Sequence, residues 1–153
     1  MNYDLLCARL RAFAEADCWY VPLLSNAAAL LYDTLEDVNW AGFYLMRGGR
    51  LVLGPFAGKA ACIHIPVGKG VCGTAVAEGR TQLVPDVHAF PGHIACDSAS
   101  NSEIVVPIRR AGRIVGVLDI DSPATDRFDE ADRAGLEGFV RILEETLEGD
   151  WNA

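Results

Sequence analysis

The chain has 153 residues, 51% of them hydrophobic and 22% charged, which fits one soluble globular domain burying about 70% of its unfolded surface and lies far from the disordered regime. A formal net charge of -8 argues against a nucleic-acid partner, because such binding is driven by Lys and Arg neutralising phosphates. The N-terminal run MNYDLLCARLRAFAEAD has acids where a signal peptide has a basic flank, and no run approaches the ~18 apolar residues of a membrane span, so the expectation is a single domain over residues 1–153 working in the cytoplasm without a membrane partner.

Apolar side chains at Tyr3, Leu6, Leu10 and Phe13 have the spacing of an amphipathic helix over residues 3–16. A second helix is predicted from Pro22 through LLSNAAALLYDTL, since proline is tolerated in a first helical turn. From Asn39 the pattern turns to β: NWAGFYLM and RLVLGPF flank RGG as a hairpin, and CIHIPV reads as a third strand. GKGVCGTAVAEGR is too alanine-rich for a strand and predicts a short helix over residues 71–78, followed by a strand at TQLVP. The polar run 86–102 is long for a loop in a compact domain, which points to function. EIVVPIRR and RIVGVLDID form a second hairpin about AG, and a last helix is capped at Asp129 with Phe128 stapling its first turn. The plan is α+β, a central antiparallel sheet of about six strands with helices packed on its faces.

The five cysteines are an odd number without an export signal and read poorly as a structural disulfide framework. Cys7 and Cys18 sit in or beside the first helix, where free cysteine behaves as a small hydrophobe. Cys62 opens a strand after a loop and Cys72 lies between glycines in GVCGT, while Cys96 stands in the polar loop beside Asp97, where packing explains it least. His88, His93, Cys96 and Asp97 are plausible ligand types, yet H-x4-H-x2-C matches no zinc spacing and there is no C-x2-C pair, so no metal and no cofactor are expected.

NWAGFYL, LVLGPF, the spacing of Cys62, Cys72 and Cys96, DVHAFPGHIACD, SEIVVPI and GVLDIDSP together resemble the free methionine-(R)-sulfoxide reductases, a family built on the GAF fold. The resemblance covers about residues 37–132. It departs from the family at Ala60 and Pro85, where the family often has proline and an acid. It implies that Cys96 attacks the sulfoxide and Cys62 resolves the product, with Cys72 as a secondary resolving thiol. Glu103, Asp119 and Asp121 fall on its substrate-binding carboxylates, and Trp40 and Tyr44 on the indole and phenol that enclose the substrate's methyl group. It further implies free methionine sulfoxide as substrate, with preference for the R epimer, and a thioredoxin-type protein as reductant.

The residue chemistry agrees. Asp119 and Asp121 are two apart on a strand and share a face, with Leu118 and Ile120 on the other. Two adjacent carboxylates are tolerated when a cation such as an amino acid's ammonium lies between them or one takes a proton. A crowded carboxyl, Glu103 with Asp121, can protonate the departing S–O oxygen. Backbone amides of Ile94 and Ala95 can hold the substrate carboxylate as an anion nest, and the loop 86–102 can act as a lid. The competing readings are a GAF module that binds a small ligand or senses redox state without turnover, a thiol peroxidase, whose thiolate would suit a cationic site better, and a zinc hydrolase. The acidic C-terminal helix and Trp151 offer a seam for a homodimer.

Overall fold

The computed structural model describes residues 1–92 and 99–151. The alternating runs pair as β1 (Trp40–Arg47), β2 (Arg50–Gly58), β3 (His64–Ile65), β4 (Gln82–Val84), β5 (Ser102–Arg110) and β6 (Arg113–Ser122). They form one antiparallel sheet in the order β3-β2-β1-β6-β5-β4. The expected α+β plan with six strands is what forms.

The helices α2 (Tyr20–Thr34) and α4 (Glu130–Thr146) cover one face of the sheet, and α1 (Tyr3–Ala16) packs against both of them. Leu6, Leu10, Leu24, Leu31 and Phe139 of these helices form one buried cluster with Phe43, Leu118, Ile120, Ile104 and Val106 of the central strands. Burying a Leu or Phe side chain stabilises a domain by about 1.5–3 kcal/mol, so this layer supplies most of the folding drive. Helix α3 (Gly70–Glu78) covers the opposite face with a smaller cluster of Trp40, Tyr44, Val71, Cys72, Val105 and Val117. No helix among the described residues is long and apolar enough to cross a membrane.

Local chemistry sets the boundaries. Asn2 caps α1 by accepting the Leu5 N–H at 3.1 Å. Asp129 caps α4 in a capping box with Asp132, and Phe128 beside it is buried, as expected. Helix α2 starts at Tyr20 rather than Pro22; the proline still falls in the first turn, where its missing N–H is not needed. The run CIHIPV forms a strand only over His64–Ile65, with one further bond from the Leu53 N–H to the Ile63 carbonyl at 2.8 Å, and it ends at Pro66, which has no N–H to extend the ladder. Within the polar run Val87–Ala89 make a turn of 3₁₀ helix, Val87 is fully buried, and its N–H donates to the Asn101 carbonyl at 2.9 Å.

Candidate functional site

Strand register builds one wall of the site. Trp40 pairs with Asp121 across β1 and β6, and Asp121 pairs with Glu103 across β6 and β5, so one row across three strands carries an indole and two carboxyls. In the next row on that face Gly42 pairs with Asp119 and Asp119 with Val105. Ala41, Leu118, Ile120 and Ile104 lie on the other face in the core beneath α1, α2 and α4. The alternation expected for Asp119 and Asp121 therefore holds, and the register adds Trp40 and Glu103 to the same surface.

Helix α3 supplies the facing wall. The Cys72 thiol and the Glu103 and Asp119 carboxylates are all buried, with donor atoms within 4.8 Å of one another. Among the described residues these three come nearest to a metal-binding arrangement, although their carboxyls are equally served by protons or an organic cation. Burial, then the charges of Asp119 and Asp121, push Glu103 well above the ordinary 4.5, and side-chain hydrogen bonds to both aspartates add to the rise. Burial and the same carboxylates push the Cys72 thiol well above its ordinary 9.0, and it is hydrogen-bonded to Asp119. Burial followed by Asp119 likewise raises the Tyr44 hydroxyl. Burial and like charge thus favour the protonated carboxyl at Glu103 and the neutral thiol at Cys72 beside the aspartates.

The aromatic wall is set by backbone irregularities. Gly42 pairs with Phe56 but Tyr44 with Leu53, so β2 carries one extra residue at its Gly54–Pro55 bulge. The bulge brings Phe56 beside Gly42, and the Trp40 indole stacks on Phe56 at 5.3 Å and 14° and against Tyr44 at 5.8 Å and 24°. A Cβ on Gly42 would meet the Phe56 Cβ at 2.3 Å and the indole edge at 2.9 Å, and one on Gly58 would meet the indole at 2.6 Å. The indole Nε1 donates to the Lys59 carbonyl at 3.0 Å, and the Tyr44 hydroxyl donates to the Cys62 carbonyl at 3.0 Å. Both hydrogen bonds tie the wall to the segment that carries Cys62.

Between the walls lies a cavity of about 580 Å³, counting its open mouth. Trp40, Tyr44, Cys72, Glu103, Asp119 and Asp121 all line it, as the sequence anticipated. Lys59 and Ser100 also line it and were not anticipated; the position of Lys59 shortly before Cys62 and that of Ser100 at the end of the polar loop were the available signals. Cys62 is disulfide-bonded, whereas Cys7, Cys18 and Cys72 carry free thiols. Cys7 and Cys18 pack against the core on the far side of the sheet, in keeping with a packing role. The expected Ile94, Ala95 and Cys96, with His93 and Asp97, lie outside the described residues.

A protonated carboxyl beside two aspartates can bind an ammonium and deliver a proton, and the indole and phenol give an apolar surface next to them. This fold and pocket define a class, and the GAF domain family matches residues 23–148. The free methionine-R-sulfoxide reductase of Escherichia coli (strain K12) is 57% identical over 136 residues, covering 89% of this chain and 82% of that protein. The fRMsr of Staphylococcus aureus in complex with substrate aligns with a TM-score of 0.91 at 55% identity over 96% of each chain. The free methionine-R-sulfoxide reductase from Neisseria meningitidis in complex with its substrate aligns with a TM-score of 0.91 at 44% identity, over 94% of this chain and 87% of that one. The chain belongs to the GAF-domain family of free methionine-R-sulfoxide reductases.

Proposed function

We propose that the protein reduces free methionine-R-sulfoxide to methionine within one GAF domain, with Cys96 as nucleophile, Cys62 as resolving thiol and Glu103 as proton donor. The observation that carries this reading is the cross-strand row of Trp40, Asp121 and Glu103 facing Asp119 and Cys72, in a chain 57% identical to a reductase of that name.

The substrate ammonium docks against Asp119 and Asp121 and the methyl group lies against Trp40 and Tyr44, while the amides of Ile94 and Ala95 take the carboxylate. The Cys96 thiolate attacks the sulfoxide sulfur as Glu103, held protonated by burial and like charge, gives its proton to the S–O oxygen. The S–O bond breaks as a sulfur–sulfur bond joins Cys96 to the substrate, the released hydroxide attacks the Cys96 sulfur and breaks that bond, and methionine leaves with Cys96 as a sulfenic acid. Cys62 then attacks that sulfur, and a disulfide and water form. The bonded state of Cys62, with free thiols at 7, 18 and 72, supports its pairing with Cys96. Cys72 suits a secondary part, because burial and neighbouring carboxylates hold it as a thiol, which is a poor nucleophile. A thioredoxin-type dithiol reduces the disulfide.

Selectivity for the free amino acid follows from the same charges. A sulfoxide within a polypeptide offers amides where the free molecule offers an ammonium, leaving the buried carboxylates without their cation; such a mismatch can cost ~10⁴ to 10⁵ in kcat/KM. The test is methionine release with dithiothreitol from each free epimer and from a sulfoxide-containing peptide. The R epimer of the free amino acid is expected to turn over, Cys96→Ser to release no methionine, and Cys62→Ser to stall after about one turnover when a thioredoxin is the reductant. Equal rates on the peptide would overturn the role given to the carboxylates.

A further inference from the structure

The segment from residue 38 to residue 77 contains Arg47, Arg50, Lys59 and Lys69 and no Asp or Glu, in a chain whose 21 acids outnumber 13 basic residues. All four basic residues are exposed, and among the described residues none is in an ion pair with a carboxylate. This segment forms the β2–β3 edge of the sheet and carries Cys62. Large apolar side chains are exposed here as well: Ile63 is 61% exposed and Val67 41%, whereas the others among the described residues, Met1, Leu5, Trp19, Val21 and Tyr32, belong to the N-terminal helical region. The chain as a whole carries a net charge of -8, so an acid-free segment with exposed basic and apolar side chains beside the bonded cysteine is a local reversal of character.

We propose that Ile63 and Val67, with the exposed Lys59, Lys69 and Arg50 of the same acid-free segment, are the docking surface for the protein dithiol that reduces the Cys62 disulfide, and that this partner presents an apolar contact flanked by carboxylates. The inference rests on the catalytic reading above, which requires a reductant, and adds where that reductant binds. Disulfide exchange requires the attacking sulfur to approach the bonded sulfur directly, so a protein partner has to touch the residues flanking Cys62. In this exchange the partner's thiolate bonds to the Cys62 sulfur and the other sulfur of the disulfide leaves as a thiolate. The partner's second thiol then attacks the mixed disulfide, its two protons pass to the two released thiolates, and the partner leaves oxidised by two electrons. A patch of this size suffices, since transient redox encounters bury less than ~1,200 Å². The basic side chains serve the on-rate: opposite charges beside a small contact steer encounter and make it sensitive to salt.

The experiment traps the encounter. Oxidised protein is mixed with a thioredoxin-type protein whose second active-site cysteine is replaced by serine, and formation of the mixed disulfide is timed. The Ile63→Ser and Lys69→Glu variants, and the double variant, are expected to slow trapping, the double about tenfold, while reduction of the same disulfide by dithiothreitol keeps its rate. Added salt is expected to slow the wild type more than Lys69→Glu. Unchanged trapping rates overturn the proposal, as does an equal slowing with dithiothreitol. If Ile63→Ser changes the sedimentation of the free protein but not the trapping rate, the patch is a seam between two copies and the proposal falls. Methionine formation with dithiothreitol by the wild type tests the catalytic reading separately, because trapping needs no substrate.

Discussion

Replacing Glu103 by Gln is expected to impair turnover and stabilise the fold at the same time. Glu103 is 7% exposed and pairs across the sheet with Asp121, and burial with the charges of Asp119 and Asp121 raises it well above 4.5. A carboxyl raised by folding contributes stability that is fully present below 4.5 and is lost as pH climbs through the raised value, because only the unfolded chain lets the proton go freely. For one proton the loss is about 1.4 kcal/mol per pH unit over that interval. Gln keeps the shape and still donates to the aspartates but has no proton to lose. Urea unfolding between about pH 5 and about pH 8 should therefore show a wild type that weakens with pH and a Glu103→Gln variant whose curve is flatter by up to that slope. Its kcat for methionine-R-sulfoxide should fall by ~10²–10⁴ if Glu103 is the general acid. Parallel stability curves would refute the buried, proton-holding cluster; a flatter curve with unchanged kcat would refute only the catalytic assignment.

Gly42→Ala is expected to cost about 1–3 kcal/mol and to lower kcat/KM, since its Cβ would meet Phe56 and Trp40 at 2.3 and 2.9 Å; urea midpoints and steady-state kinetics together check this. Tyr3→Phe should destabilise by roughly 1–2 kcal/mol in the same unfolding assay, because the Tyr3 hydroxyl donates at 2.6 Å to Asp132, which also closes the α4 capping box and meets Arg127 at 3.3 Å. Ala111→Gly should raise Tm, relieving roughly 1 kcal/mol of strain at a non-glycine φ of +51°. Alkylation of the native protein followed by mass spectrometry should modify Cys7 before Cys72, which is 4% exposed and held protonated by burial and Asp119.

Much of this was readable from the letters, for identifiable reasons. Leu118 and Ile120 against Asp119 and Asp121 announced a two-faced strand, and Asp129 with Phe128 announced the last helix, because both signals lie within a few neighbouring residues. The meeting of Trp40, Asp121 and Glu103 was reachable only through the family resemblance, since it depends on the pairing register between distant segments. The buried contact of Cys72 with Asp119 and Glu103 was not legible at all: it depends on how α3 settles on the sheet. Phe56 went unnoticed because its place behind Trp40 is set by a bulge of one residue, and CIHIPV was overread because alternation does not count available N–H groups.

The turn joining β5 to β6 lies at the opposite end of those strands from Glu103 and Asp121, and its two central residues, Ala111 and Gly112, have φ of +51° and +76°. Such a mirror-image turn fixes the pairing of the residues beside it, and a one-residue bulge at Val115 then shifts it, so turn and bulge together set which residues face one another at the site. A slip by a single position would put Ile104 where Glu103 stands and turn the acids toward the leucines. The reactive chemistry of this molecule is thus inherited from a bend and a bulge that lie away from the acids, and whoever grafts or permutes the fold must preserve both as carefully as the cysteines.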